Sequence, residues 1–268
     1  MERRFTITKV SHHGTSNPIV ARLFLQMCQL FDATNISKNQ KQEIVTDLHD
    51  LMQSLLGCFD IKEDIVKAYN VSLQTMDREV SQTNVLYCPH IDNLAMMTEN
   101  FLYQTKKYLR DLACFFKRFY AELNQKELLF NPYSKDNLFD FLLKQDATFQ
   151  KMFEFDKKWI GELISKRNAV EHPGEISGTL KINNFEVRGE TITAPLWCRE
   201  NKDNKPVFET SIVQDISKIV EYLLNFSEEV IINYCIKNNL VMKNLAIYQI
   251  PVEERDPNNP VRFGIQLI

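Results

Sequence analysis

The chain has 268 residues, with 32 Lys and Arg against 35 Asp and Glu, a net charge of −3, and 44% hydrophobic residues. A chain of this length buries roughly three quarters of its unfolded surface and needs no metal or disulfide staple to fold. Seven Gly and nine Pro exclude collagen-like or long low-complexity stretches, and the near-balanced charge leaves any nucleic-acid or membrane binding to a local patch.

Met1-Glu2-Arg3-Arg4 starts basic, but no unbroken apolar run follows, so no secretory leader is expected. No stretch approaches the roughly 18 apolar residues of a membrane span. Cys28, Cys58, Cys88, Cys114, Cys198 and Cys235 lie far apart with no CxxC pair. They read as reduced, mostly buried thiols of a cytoplasmic protein.

Most of the chain reads as helix. Asn17-Pro18 is a start signal for a short apolar helix reaching Phe31. Ser37 and Gln40 have capping-box spacing. Ile44, Leu48, Leu51, Met52 and Leu55 then repeat at helical spacing, with Gly57 as the expected stop. Asp60 and Glu63 open a third helix to at least Tyr69. The polar stretch from Ser81 to Pro89 suggests a boundary, dividing an N-terminal helical region (1–85) from a helical bundle (86–268).

Ile91, Leu94, Ala95, Phe101, Leu102, Leu109, Leu112, Phe115, Phe116, Phe119 and Leu123 form one stripe, predicting a helix over 91–123. An amphipathic helix that long belongs in a bundle. Asn131-Pro132 breaks the chain. Helices follow over 136–144 and 147–171, the second with Phe149, Met152, Phe153, Ile160, Leu163 and Ile164 on one face. A last helix runs from Ser211, with Gln214 three residues on, to Lys237. Thr179–Val187 and Thr191–Trp197 flank Arg188-Gly189-Glu190 and read as a hairpin. Ala246–Ile250 and Val261–Ile268 form a second hairpin candidate, and the two are expected to share one sheet. The predicted class is mainly α, a helical bundle with a small antiparallel β element made of a hairpin insertion and C-terminal strands.

One segment stands out as a candidate site: Lys166-Arg167-Asn168-Ala169-Val170-Glu171-His172-Pro173-Gly174, the end of the 147–171 helix. Arg167 falls on the stripe that faces the core, seven residues after Ile160 and four after Leu163. A guanidinium there must be paired or must face a cleft. Pro173 disfavours helical geometry at His172, so the chain leaves the helix there. On an ideal helix Arg167 and His172 lie about 140° apart, yet a terminating helix and a long Arg side chain let both reach one point. Asn168 is placed to orient the imidazole or a phosphate oxygen. A second account covers the same string: Lys166, Arg167 and His172 complement the negative end of a helix dipole, and Pro173-Gly174 is a helix stop.

Arg167-Asn168-x-x-x-His172, ending a helix in a helical bundle, resembles the motif of the HEPN superfamily. That motif is Arg, four to six residues, then His, with a polar residue after the Arg. The resemblance covers the motif and the helical region of about 90–240. It does not extend to residues 1–85 or to the hairpin at 179–197, which would be an insertion. Many members are metal-independent ribonucleases whose two motif copies face each other across a dimer cleft. The resemblance implies His172 as general base or acid, Arg167 on the scissile phosphate, Asn168 in support, and a 2′,3′-cyclic phosphate product. Histidine suits that role because its ordinary pKa lies near neutrality. A planar guanidinium suits phosphate. It also implies a homodimer, RNA as substrate, no metal or other cofactor, and a toxin or defence role under a protein regulator. Other members are inactive and bind nucleotides or partners.

Lys106, Arg110 and Lys117 share a face of the 91–123 helix, with Lys107 and Arg118 beside them. This stripe either steers an RNA backbone or is a solvated helix face. Tyr103, Tyr108 and Tyr120 are candidates for base stacking or boundary residues of the bundle. His12-His13-Gly14 has no ligand spacing to suit a metal. Asp156 interrupts the apolar face before Trp159, as a buried hydrogen-bonding group or part of a cleft. A phosphate-binding Gly-rich loop, GxSxG and paired Cys/His clusters are all absent from the sequence.

Overall fold

The computed structural model describes residues 11–83, 87–120, 130–147, 149–200, 208–238 and 240–268. It is mainly α, with small antiparallel sheets. Helix α1 begins as a π-helical stretch, Ile19–Leu25, and continues as α-helix over Gln26–Asp32. Then come α2 (Lys38–Thr83), α3 (Leu94–Lys117), α4 (Leu138–Gln145), α5 (Phe149–Glu171) and α6 (Ile212–Lys237). The strands are β1 (Thr179–Asn183), β2 (Glu186–Arg188), β3 (Thr191–Thr193), β4 (Leu196–Glu200), β5 (Thr210–Ser211), β6 (Leu245–Gln249) and β7 (Phe263–Leu267). The chain groups into two compact units, one holding Met1–Leu56 with Leu223–Ile268, the other Gly57–Tyr222.

In the first unit, the capping box forms as its spacing requires. The Ser37 N–H donates to Gln40 Oε1 (3.1 Å), and the Gln40 N–H donates to Ser37 Oγ (3.3 Å). The centre of the unit is a buried carboxylate. Glu228 on α6 is 0% exposed and accepts from Arg22 Nε (3.1 Å) and Nη2 (2.5 Å), and from Gln26 Nε2 (2.8 Å). Arg262, just before β7, pairs with it at 2.9 Å. Gln26 Oε1 accepts the backbone N–H groups of Arg262 (2.6 Å) and Phe263 (2.9 Å). One side chain thus ties α1 to the β6–β7 hairpin. Burial raises the pKa of the neighbouring Glu229, although Arg262 opposes it.

Helix α2 runs straight through Gly57, the first residue of the second unit, against the expected stop and the separate third helix. Glycine disfavours a helix interior by only about 1 kcal/mol, and Cys58 and Ile65 beyond it are fully buried. A Cβ on Gly57 would lie 2.8 Å from Nε2 of Gln104 on α3, the far end of a flexible side chain that can move aside. Helix α3 is shorter than expected. It starts after Asn93, which takes a left-handed φ of 59°, and it ends at Lys117; residues 121–129 lie outside the described residues. An aromatic chain joins the elements around α5. Phe116 meets Phe130 at 6.4 Å, Phe130 meets Phe139 at 5.2 Å, and Phe139 meets Phe153 of α5 at 4.9 Å. Edge-on pairs of this kind add about 0.5–1.5 kcal/mol each beyond their burial.

The hairpin departs from expectation in two ways. It is split: β1 pairs with β4, and the shorter β2–β3 pair forms its own sheet. Asn184 and Phe185 interrupt the ladder because they answer to the helical region instead. The Asn184 carboxamide bonds both backbone groups of Ile91 (3.1 and 2.8 Å), and the Phe185 ring stacks on Tyr69 at 5.5 Å. The two hairpins also do not share a sheet. β5 is the third strand beside β4, while β6–β7 is a separate two-stranded sheet in the first unit. Among the described residues, no helix is long and apolar enough to cross a membrane. Three cysteines are buried (Cys58, Cys198, Cys235), whereas Cys88 and Cys114 are exposed.

Removing one partner of a buried, hydrogen-bonded ion pair leaves an uncompensated charge. Glu228→Ala, which strands Arg22, is expected to destabilise the fold by about 3–5 kcal/mol, read as a lowered urea midpoint.

Candidate functional site

Helix α5 ends at Glu171, and the His172 N–H still closes the last helical turn onto the Asn168 carbonyl at 2.8 Å. The chain then turns sharply. Glu175 N–H donates to the His172 carbonyl (3.2 Å) across Pro173 and Gly174, whose φ is +81°. This is the pattern of a type II turn, with Pro second and a left-handed Gly third. A second turn, closed by the Gly178 N–H on the Glu175 carbonyl (2.9 Å), leads into β1.

The end of α5, these turns and β4 enclose an open cleft of about 500 Å³. Ser165, Asn168 and His172 line it from the helix side, Glu175 and Ser177 from the turns, and Arg199 from β4. The His172 side chain is 57% exposed. Its Nε2 lies 3.6 Å from Glu171 Oε2, within reach of an ion pair when the ring is protonated.

Arg167 does not join this cleft. Its side chain is 12% exposed and forms an ion pair with Glu171, one turn on. Nη1 donates to Asn168 Oδ1 at 3.2 Å, the guanidinium lies 5.6 Å from the Tyr103 ring centre, and Nε is buried without a hydrogen-bond partner. Burial lowers its pKa, and Tyr103 partly opposes this. Glu171 is therefore the group that links the two motif residues: it pairs with Arg167 and neighbours His172. Asn168 turns its oxygen to Arg167 and also lines the cleft.

The basic residues of α3 divide. Lys106 and Arg110 line a small cavity of about 70 Å³ that Asn168 also lines. Lys107 pairs with Asp111 at 3.1 Å. Arg118 and Lys117 fall at the helix end. Tyr108 is fully buried, Tyr103 covers Arg167, and Tyr120 packs edge-on against Phe141 at 5.0 Å. Asp156 is a buried hydrogen-bonding group that accepts from Trp159 Nε1 at 2.8 Å. Among the described residues, no cluster of His, Cys, Asp and Glu is arranged to hold a metal ion.

Sequence reasoning missed Arg199. Glu162 of α5 accepts from its Nε (3.3 Å) and Nη2 (2.9 Å), and the Ser177 carbonyl accepts from Nη1 (3.1 Å). Lys166, nearly buried, pairs with the same Glu162 at 2.9 Å and lies 5.0 Å from the Trp197 ring centre. Burial pushes the Glu162 carboxyl up, but the hydrogen bonds and charges of Arg199 and Lys166 outweigh it and hold the group below the ordinary carboxylate range. No local pattern announces Arg199, since its contacts are 22 and 37 residues away in sequence.

Comparison with known proteins assigns no relatives: no family model, curated protein or solved structure matches the chain.

Two outcomes follow from this geometry. A Cβ on Gly174 would meet nothing within 4 Å, so the cost of Gly174→Ala is the left-handed backbone alone. A loss of about 1–2 kcal/mol is expected, checked by chemical denaturation. A carboxyl with a lowered folded-state pKa stabilises the fold above its ordinary value of 4.5 and loses that contribution as pH falls through the folded value. The unfolding midpoint of wild type is therefore expected to drop more steeply than that of Glu162→Gln between about pH 6 and about pH 3.

Proposed function

We propose that the end of α5 is the active site of a HEPN-like, metal-independent endoribonuclease acting as a homodimer. The observation that carries this reading is the shared cleft: His172 and Asn168, one turn apart, open together on a space of about 500 Å³. His172 takes the proton of a ribose 2′-hydroxyl. The 2′-oxygen attacks the adjacent phosphorus, the bond to the 5′-oxygen breaks, and that oxygen takes a proton from water as it leaves. A 2′,3′-cyclic phosphate remains. The NH₂ end of Asn168 donates to a phosphate oxygen, as charge on the phosphate requires. Lys106 and Arg110, beside Asn168, extend the path of the RNA backbone along α3.

A second reading is favoured by the pairing of Arg167. In a chain whose motif arginine is neutralised by Glu171 and covered by Tyr103, the helix end serves as a non-catalytic module that binds a nucleotide or a protein.

Cleavage of end-labelled RNA in excess EDTA separates the two. Wild type is expected to cleave and to leave a cyclic phosphate, while His172→Ala, purified identically, loses at least about a hundredfold in rate. No cleavage by either across structured and unstructured RNAs would favour the binding module, and equal cleavage by both would point to a contaminant or a different site.

A further inference from the structure

We propose that Arg199, rather than Arg167, is the guanidinium that holds a substrate phosphate in this cleft, an assignment that rests on the ribonuclease reading of the site. The two arginines are differently committed. Arg167 is paired one-to-one with Glu171, gives Nη1 to Asn168, and lies outside the cleft lining. Arg199 lines the cleft. It gives Nε and one N–H of Nη2 to Glu162 and one N–H of Nη1 to Ser177. A guanidinium carries five N–H donors, so one on each terminal nitrogen is left over. Two neighbouring donors on a planar fork match two oxygens of a phosphate.

The charge balance points the same way. Glu162 is shared between Arg199 and Lys166. That cluster keeps one positive charge in excess, whereas the Arg167–Glu171 pair keeps none. The fork of Glu162 and the Ser177 carbonyl also hold the Arg199 side chain in place before any ligand arrives, which removes much of the ordering cost of binding. Glu175, an exposed carboxylate, lines the same cleft. Its charge weakens any anion bound there.

The test is fluorescence anisotropy of the full chain with a labelled, single-stranded 2′-O-methyl RNA of mixed sequence, which lacks the attacking hydroxyl and cannot be cleaved. Arg199→Gln is expected to weaken binding about tenfold or more, as the loss of a charged hydrogen bond would. It should also lower the slope of log affinity against log salt by about 0.7, the share of one phosphate contact on a single strand. Arg167→Gln should lose at most about threefold, since it removes no phosphate contact but leaves the Glu171 charge unpaired. Glu175→Gln, a change at an exposed side chain that spares the fold, should tighten binding about threefold by removing a like charge.

Equal losses in Arg167→Gln and Arg199→Gln, or an unchanged salt slope in Arg199→Gln, would overturn the assignment. Should Arg199→Gln fail to fold, unchanged affinity in Glu175→Gln would overturn it. Wild type that binds no RNA probe fails the ribonuclease reading itself, and the assignment with it.

Discussion

The carboxylate of Glu228 is fully buried, and α1 and the entry to β7 answer its charge. An ionised carboxyl in the interior carries a desolvation cost that only close opposite charge and full hydrogen bonding offset. Arg22 and Gln26 supply this from α1, and Arg262 supplies it from the entry to β7. Gln26 does a second job by receiving two backbone N–H groups of the hairpin. These partners are separated by more than 200 residues, yet they meet at one buried group. The apolar faces of α1 and α6 provide the larger stabilisation, but they are tolerant of small slips. A forked carboxylate–guanidinium contact is not, so Glu228 sets the register in which those faces meet.

The same constraint recurs along α5 in the other unit. This helix carries three buried or nearly buried charged groups and the half-exposed Glu162, and each has an answer. Asp156 has Trp159, Lys166 has Glu162 and Trp197, and Arg167 has Glu171 and Tyr103. Glu162 has both Lys166 and Arg199. Which cation faces the cleft is decided by these pairings rather than by order along the chain. Arg167 and Glu171 sit one turn apart and neutralise each other on the helix. Arg199 arrives from β4 and shares its partner. The helix end thus presents His172 and Asn168 with a cation borrowed from the hairpin.

Much of this was legible in advance where the cause is local. The Ser37–Gln40 box, the end of α5 at His172-Pro173 and the start of α6 beside Ser211 each depend on groups within four residues. The apolar stripes of α3 and α5 marked their buried faces, since period alone decides which side chains share a side. Local signals failed where a distant group overruled them. Gly57 reads as a helix stop until the burial of Cys58 and Ile65 beyond it is known. The 179–197 segment reads as one hairpin until Asn184 and Phe185 are drawn to Ile91 and Tyr69. The placement of β6–β7 in a different unit from β1–β4 also followed no local rule, because strand edges of either hairpin offer the same hydrogen bonds.

The sequence by itself determined the helical class, the amphipathic faces and the helix end that carries Arg167, Asn168 and His172. These follow from backbone propensity, capping and the 3.6-residue period, which act over one or two turns. Tertiary structure alone decided that Asn168 and His172 open on one cleft, that Glu171 neutralises Arg167, and that Arg199 enters from β4. Burial and charge pairing make these choices, and their free energy depends on which groups lie within a few ångströms in space, whatever their separation along the chain.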